Sequence, residues 1–123
     1  MNMLQRLLIA TLLVVGFGVV HSQYTGPGNQ QKIYTVKEIK DNAMKLDRAD
    51  TFVALRGNIV QQLNNNTYLF RDASGTINAE IKKKNLPLES FNDKSLVIIR
   101  GEVDYDLLEG TEIEVDVVEI VKK

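Results

Sequence analysis

Between Thr51 and Ile81 the chain alternates apolar and polar residues in three runs, separated by two short loops of turn-forming residues. The first run, Thr51 to Leu63, is long and carries Gly57 near its middle. Asn64-Asn65-Asn66 then leads into Thr67 to Asp72, and Ala73-Ser74-Gly75 leads into Thr76 to Ile81. A period of two marks half-buried strands, and turn residues at these intervals join them into a β-meander. Glycine is tolerated inside a strand at a bulge, a sharp bend or a close backbone approach. A long bent strand feeding two shorter hairpin strands is how a small five-stranded barrel begins.

Two further strands are expected, at Ser95–Asp104 and Thr111–Val121. The inward positions are then Val53, Leu55, Gly57 and Ile59, followed by Tyr68 and Phe70, by Ile77, Ala79 and Ile81, by Val97, Ile99, Gly101 and Val103, and by Ile113, Val115 and Val117. Nearly all are β-branched or aromatic, as the filled interior of a small barrel requires. Ahead of the strands, Thr35-Val36-Lys37-Glu38 has the form of a capping box, and Val36, Ile39, Ala43 and Leu46 recur at helical spacing. A helix from about Val36 to Met44, ending before Asp47, is expected to plug one end of the barrel. Lys83 to Asp93 contains Pro87 and reads as a loop with one turn around Leu88 to Phe91. The fold class is therefore all-β: a small five-stranded antiparallel OB-fold barrel with an N-terminal helix. Another small antiparallel barrel or a sandwich is the alternative, because strand patterns alone do not fix strand order.

The compartment is read from the first residues. Arg6 precedes 14 residues, Leu7 to Val20, without a charge, a length that suits the core of a secretory signal and falls short of the roughly 20 residues of a membrane span. Val20-His21-Ser22 offers a cleavage site after Ser22, and an uncleaved membrane anchor is the competing reading. The expected organisation is a signal peptide over 1–22, an extended lead-in over 23–34 containing Gly26-Pro27-Gly28, and one domain over 35–123. Cleavage leaves 101 of the 123 residues and removes one of the 15 basic residues, for a net charge of −2 against 16 acidic ones. That size supports a single core. With no cysteine in the chain, packing alone holds the fold, and thiolate catalysis, cysteine zinc sites and a cysteine-linked lipid are excluded. The expected location is the periplasm, with no stable membrane insertion after cleavage.

The Tyr24-Thr25-Gly26-Pro27 lead-in and Thr35-Val36 opening a helix belong to a wider pattern. It continues with Leu55-x-Gly57-x-Ile59-Val60, Tyr68-x-Phe70-x-Asp72-x-x-Gly75-x-Ile77 and Ile99-x-Gly101-Glu102-Val103-Asp104. Together with the signal segment, this pattern resembles the bacterial OB-fold (BOF) family, the YgiW/YdeI stress-tolerance proteins, over nearly all of the mature chain. The resemblance implies a periplasmic, non-enzymatic protein that contributes to chemical and envelope stress tolerance by binding a small molecule or an envelope partner. The matching positions are mostly core and turn residues, so they describe how the barrel is built more than what it binds.

Candidate ligand contacts come from the residues themselves. From Asp104 to Glu119 the chain carries seven carboxylates and no Lys or Arg. The loop Asn64, Asn65 and Asn66 and the loop carrying Tyr105, Asp106 and Glu109 are expected to rim the outer face that holds Arg71 and Glu80. Amides on one side and carboxylates with a tyrosine on the other suit a small cationic or polyhydroxy ligand. The plain alternative is a solvated, charged edge that resists aggregation. No cofactor and no metal is expected, since alternate carboxylates on a strand match no metal-binding loop. Nucleic acid is a poor partner for a slightly acidic chain with no outward aromatic on the second and third strands. An oligonucleotide- or oligosaccharide-binding OB domain nevertheless stands as the alternative function. Enzymatic activity is not expected: His21, the one histidine, leaves with the signal, so no serine retains a base.

Overall fold

The computed structural model describes residues 31–122. In chain order these form β1 (Ile33–Tyr34), α1 (Val36–Asp41), α2 (Ala43–Arg48), β2 (Phe52–Gln62), β3 (Thr67–Asp72), β4 (Gly75–Ile81), a 3-10 turn at Lys83–Asn85, β5 (Val97–Asp106) and β6 (Gly110–Ile120). The expected leader, its cleavage position and most of the lead-in lie outside the described residues.

β2 pairs with β3, β3 with β4, β4 with β6 and β6 with β5, and β5 returns to pair with β2. The five strands thus close into a barrel, preceded by helix as expected, and β1 adds in parallel alongside β2. The barrel is mixed and not purely antiparallel: β4 and β6 run parallel. Directions cannot alternate all the way around a ring of five, so closure forces one like-directed pair. The crossover that such a pair needs is made by β5 itself, which carries the chain back to the end where β6 begins. The turns between β4 and β5 fall at Lys83–Asn85 and at Asp93–Lys94, and not around Leu88 to Phe91. Asn85 fixes the first by donating from Nδ2 to the Val115 carbonyl, 3.3 Å away.

The interior is filled by Val53, Leu55, Ile59, Tyr68, Phe70, Ile77, Ala79, Ile81, Val97, Ile99, Val103, Ile113 and Val115, all buried. Two inward glycines bring backbones together. A Cβ at Gly57 would collide with the Arg71 carbonyl and lie 2.8 Å from Phe70 Cζ, so the Phe70 ring occupies the room the missing side chain leaves. A Cβ at Gly101 would collide with the Glu114 carbonyl. Beside Gly101 the ladder slips: Arg100 pairs with Val117 and Gly101 with Val115, leaving Asp116 as the extra residue of a β-bulge. The bulge reverses the alternation beyond it. Val118 is therefore buried and Val117 exposed, contrary to the inward placement expected of Val117. Ala54, expected outside, is also buried, between Ile33 on β1 and Arg100 on β5.

The helical segment is longer than expected and broken once. Thr35 and Glu38 form the expected capping box, the Glu38 amide donating to Thr35 Oγ1 (3.1 Å) and the Thr35 amide to Glu38 Oε1 (2.9 Å). α1 ends at Asn42, and α2 carries the buried Ala43 and Leu46 on to Arg48. The helix does not stop before Asp47 because Asp47 has a partner: its carboxylate accepts the Tyr105 amide at 2.8 Å, fastening α2 to β5.

At its other end the helix is held by the β3–β4 turn. Asp72 Oδ2 accepts the Val36 amide (2.9 Å), and Ser74 Oγ accepts the Lys37 amide (2.9 Å). Asp72 Oδ1 accepts both the amide and the hydroxyl of Ser74. Partial burial works to raise the Asp72 pKa, but the Ser74 hydroxyl and the Val36, Ser74 and Gly75 amides outweigh it and hold the carboxyl below its ordinary value.

Two outcomes follow for stability, both read from unfolding curves. Phe70→Ala should cost about 3–5 kcal/mol, because the cavity it opens faces a glycine that cannot fill it; an unchanged midpoint would mean that Leu69 and Arg71 are the buried pair. Asp72→Ala should cost about 2 kcal/mol, since charge-assisted bonds to three donors are lost together. A carboxyl depressed in the folded state stabilises fully above its unfolded pKa of about 3.9 and loses that contribution as the pH falls through the folded value. The gap between wild type and Asp72→Ala should accordingly be widest near neutrality and close in acid.

Candidate functional site

The register of the barrel decides which of the expected residues share a surface. Asn66 accepts the Ile81 amide through its carbonyl (2.7 Å), so Asn64, Asn65 and Asn66 cap the C-terminal end of β4. The β5–β6 hairpin lies toward the other end: Glu112 stands beside Asn78 at the middle of β4, and the parallel register carries Gly110, two residues earlier, toward Thr76. From the level of Gly110 to Ile81, five residues of β4 separate the two loops by roughly 17 Å at the usual rise per residue. They flank opposite ends of the face and form no common rim. Arg71 and Glu80 are similarly apart, Arg71 opposite Thr76 and Glu80 opposite Thr67.

Much of the polar chemistry of these loops is turned inward on the turns themselves. Asn64 Oδ1 accepts the amides of Asn66 (3.0 Å) and Thr67 (2.9 Å). Asp106 ends β5 opposite Gly110 and is part of the strand, not of the loop where it was expected. Its Oδ1 accepts the amides of Leu108 (2.8 Å) and Glu109 (2.9 Å), and Gly110 completes the turn at a φ of 93°, a conformation suited to glycine. Tyr105 is half-buried against the core and does not present its ring on the outer face.

What the fold does bring together is a belt of carboxylates across β4, β6 and β5. Glu80 stands beside Glu114, and Glu114 beside Glu102; in the next row Asn78 stands beside Glu112, and Glu112 beside Asp104. All point outward, because their neighbours Ala79, Ile81, Ile113, Val115, Gly101 and Val103 point in. Asp104, Asp106, Glu109 and Glu112 line a cleft of about 240 Å³ with Asn78 and Thr111. A second cleft, of about 530 Å³, lies at the other end of the belt, where Lys82 and Lys84 face Glu80, Glu114 and the bulged Asp116. Among the described residues no Lys or Arg makes an ion pair with any belt carboxylate. Arg100, on the same sheet, is taken by Glu119 at 2.8 Å.

The belt is electrostatically strained. Partial burial first, and then the charges of Glu80, Asp104, Glu114 and Glu109, push the Glu112 pKa up. Glu114 is pushed up by burial and by Asp104 and Glu80, with Asp104 also within hydrogen-bonding reach and Glu102 adding its charge. Directly opposed like charges on a sheet cost stability, so this surface carries a standing penalty at neutral pH. Glu112 and Glu114 were visible in the sequence as alternate acids on one strand. The addition of Glu80 and Glu102 on either side was not, since it depends on the parallel β4–β6 register for Glu80 and on the β5–β6 register for Glu102.

Residues 18–122 match the family model described as bacterial OB fold (BOF) protein. The chain belongs to the bacterial OB-fold family. Within it, the chain is 39% identical over 115 residues to the calcium-regulated OB-fold protein CarO of Pseudomonas aeruginosa, covering 94% of each chain. It is 45% identical over 75 residues to the protein YgiW of Escherichia coli K12, covering 61% of this chain and 55% of that one. The solved structure of Escherichia coli YgiW superposes with a TM-score of 0.62 at 38% identity, covering 82% of this chain and all of the other. An asparaginyl-tRNA synthetase of Pyrococcus horikoshii superposes at a TM-score of 0.57 and 23% identity over 23% of its length, a likeness of fold alone. CarO is named for its fold and its regulation, and neither relative is named for a reaction.

The penalty on this face can be measured through Glu112. Its raised folded pKa means that the native state binds more protons than the unfolded chain, so stability falls as the pH rises through that interval. Glu112→Gln should therefore raise stability by about 0.2–1 kcal/mol at neutral pH, the range for a directly opposed like-charged pair. The gain should vanish below the ordinary Glu pKa of about 4.3. Thermal melts across this pH range would show it; a substitution that destabilises at neutral pH would mean that Glu112 has an attractive partner.

Proposed function

We propose that this protein is an exported, non-enzymatic binding module of the cell envelope that contributes to stress tolerance by holding a cationic ligand on its carboxylate belt. The observation that carries the reading is the lateral alignment of Glu80, Glu114 and Glu102, with Glu112 and Asp104 in the next row. Export rests on the uncharged run from Leu7 to Val20 behind Arg6. The role in stress follows the family resemblance.

Adjacent strands lie about 4.8 Å apart, so three carboxylates in one row form a ladder roughly 10 Å long. Such a ladder suits a ligand whose positive charges are spaced along a chain, as in a polyamine or a basic peptide segment. A single divalent ion needs several oxygens converging on one point, and among the described residues no three acidic or histidine side chains converge in that way. The Pseudomonas aeruginosa relative is named for regulation by calcium, which is a different property from coordinating it. The same belt opposes an oligonucleotide, because phosphates would meet carboxylates in place of the basic groups that bind them.

A ligand that binds the native state raises the melting temperature by mass action. In a thermal-shift series, spermine should raise the Tm more than magnesium or calcium at equal charge concentration. The triple variant Glu80→Gln/Glu112→Gln/Glu114→Gln should abolish the spermine shift while remaining at least as stable as wild type. Stabilisation by single-stranded DNA in place of spermine, or an undiminished spermine shift in the triple variant, would refute the assignment.

A further inference from the structure

We propose that the protein pairs with a second copy of itself, each copy seating the Leu107–Leu108 tip of its β5–β6 hairpin in the groove along α2 of the other. This contact shares Asp106 and Glu109 with the cleft at one end of the carboxylate belt but does not depend on the ligand assigned to the belt. Leu107 is 80% exposed and Leu108 92% exposed, at a turn whose geometry calls only for polar residues and glycine. The tip is also pre-shaped. Asp106 holds the Leu108 and Glu109 amides at 2.8 and 2.9 Å, so little conformational freedom remains to be lost when the leucines are covered.

The complementary surface is on the helix. Met44, Lys45, Arg48 and Ala49 line an open depression of about 510 Å³ together with Asp41 and Asn42. Met44 is 47% exposed there, and its unbranched thioether adapts readily to an incoming leucine. The charges match the tip in reverse: the leucines are flanked by Asp106 and Glu109, whereas the groove carries Lys45 and Arg48. Among the described residues neither of these cations forms an ion pair. Asp41 is already paired with Lys37 at 2.8 Å, which offsets its charge where the acidic tip arrives.

Tip and groove are neighbours on one molecule. The Tyr105 amide, two residues before Leu107, is bound to Asp47 of α2 at 2.8 Å, which stitches the base of the hairpin to the helix. A surface carrying a projection and its matching depression side by side is self-complementary about a two-fold axis, and two such contacts close the pair without leaving a free end. The acidic flanks of the tip argue against insertion into an anionic bilayer, where Asp106 and Glu109 would meet like charge.

Sedimentation velocity over a concentration series, on the protein as its host processes it, tests the pairing. Wild type should pass from monomer to dimer as concentration rises. Leu108→Ser and Arg48→Glu, both at exposed positions and expected to melt like wild type, should each weaken the dimer at least tenfold. An equimolar mixture of the two variants should sediment faster than either alone, because one intact tip and one intact groove can still meet. A wild type that stays monomeric, or a dimer indifferent to both substitutions, overturns the proposal. Binding of monomeric wild type to anionic vesicles, lost in Leu108→Ser, also overturns it and assigns the tip to a lipid surface.

Discussion

Backbone meets backbone at two inward positions, Gly57 against Arg71 and Gly101 against Glu114, and the ring of strands closes around those approaches. At the first, the space left by a missing side chain is taken by Phe70, so the largest fully buried side chain and the smallest residue form one packing unit. At the second, the close approach sits beside the Asp116 bulge and sets the twist with which β5 and β6 wrap the core. A barrel of five strands has little volume to spare, and without disulfides its stability is the sum of such contacts. The parallel β4–β6 pair is a consequence of the same closure.

The helix is bound to the barrel by polar contacts as well as by its apolar stripe. Asp72 and Ser74 take the first free amides of α1, and Asp47 takes an amide of β5. Both hairpins on that end of the barrel are thereby tied to one short helical segment. The acidic residues used in this way are consumed by structure, and so is Asp106, which shapes its own turn. The carboxylates left over lie on the outer faces of β4, β6 and β5, where the core below them fixes their direction.

Those remaining carboxylates oppose folding mildly and favour a positive ligand for the same reason. Glu112 and Glu114 hold their charge against partial burial and neighbouring acids, and a cation laid along the row relieves both terms. Lys82 and Lys84, at the end of the belt, sit across a cleft from Glu80 and Glu114 without closing ion pairs among the described residues. Like charge on the outer strand faces opposes association of the barrel exterior through its strands.

The sequence by itself determined the barrel, its capping box and nearly all of its core, because alternation of period two and the Thr35–Glu38 spacing are local signals that burial only amplifies. It turned Val117 inward where Val118 is buried, since a bulge leaves no mark in the pattern until Gly101 is seen against the Glu114 carbonyl. It ended the helix too early, since the partner that extends it, Tyr105, lies far along the chain. Individual acids on β6 were legible as a charged strand face. Only the tertiary structure set Glu80 and Glu102 on either side of them and parted the Asn64–Asn66 loop from the β5–β6 hairpin. Those relations follow from strand order and register, which arise when the ring closes and cannot be read from the segments singly.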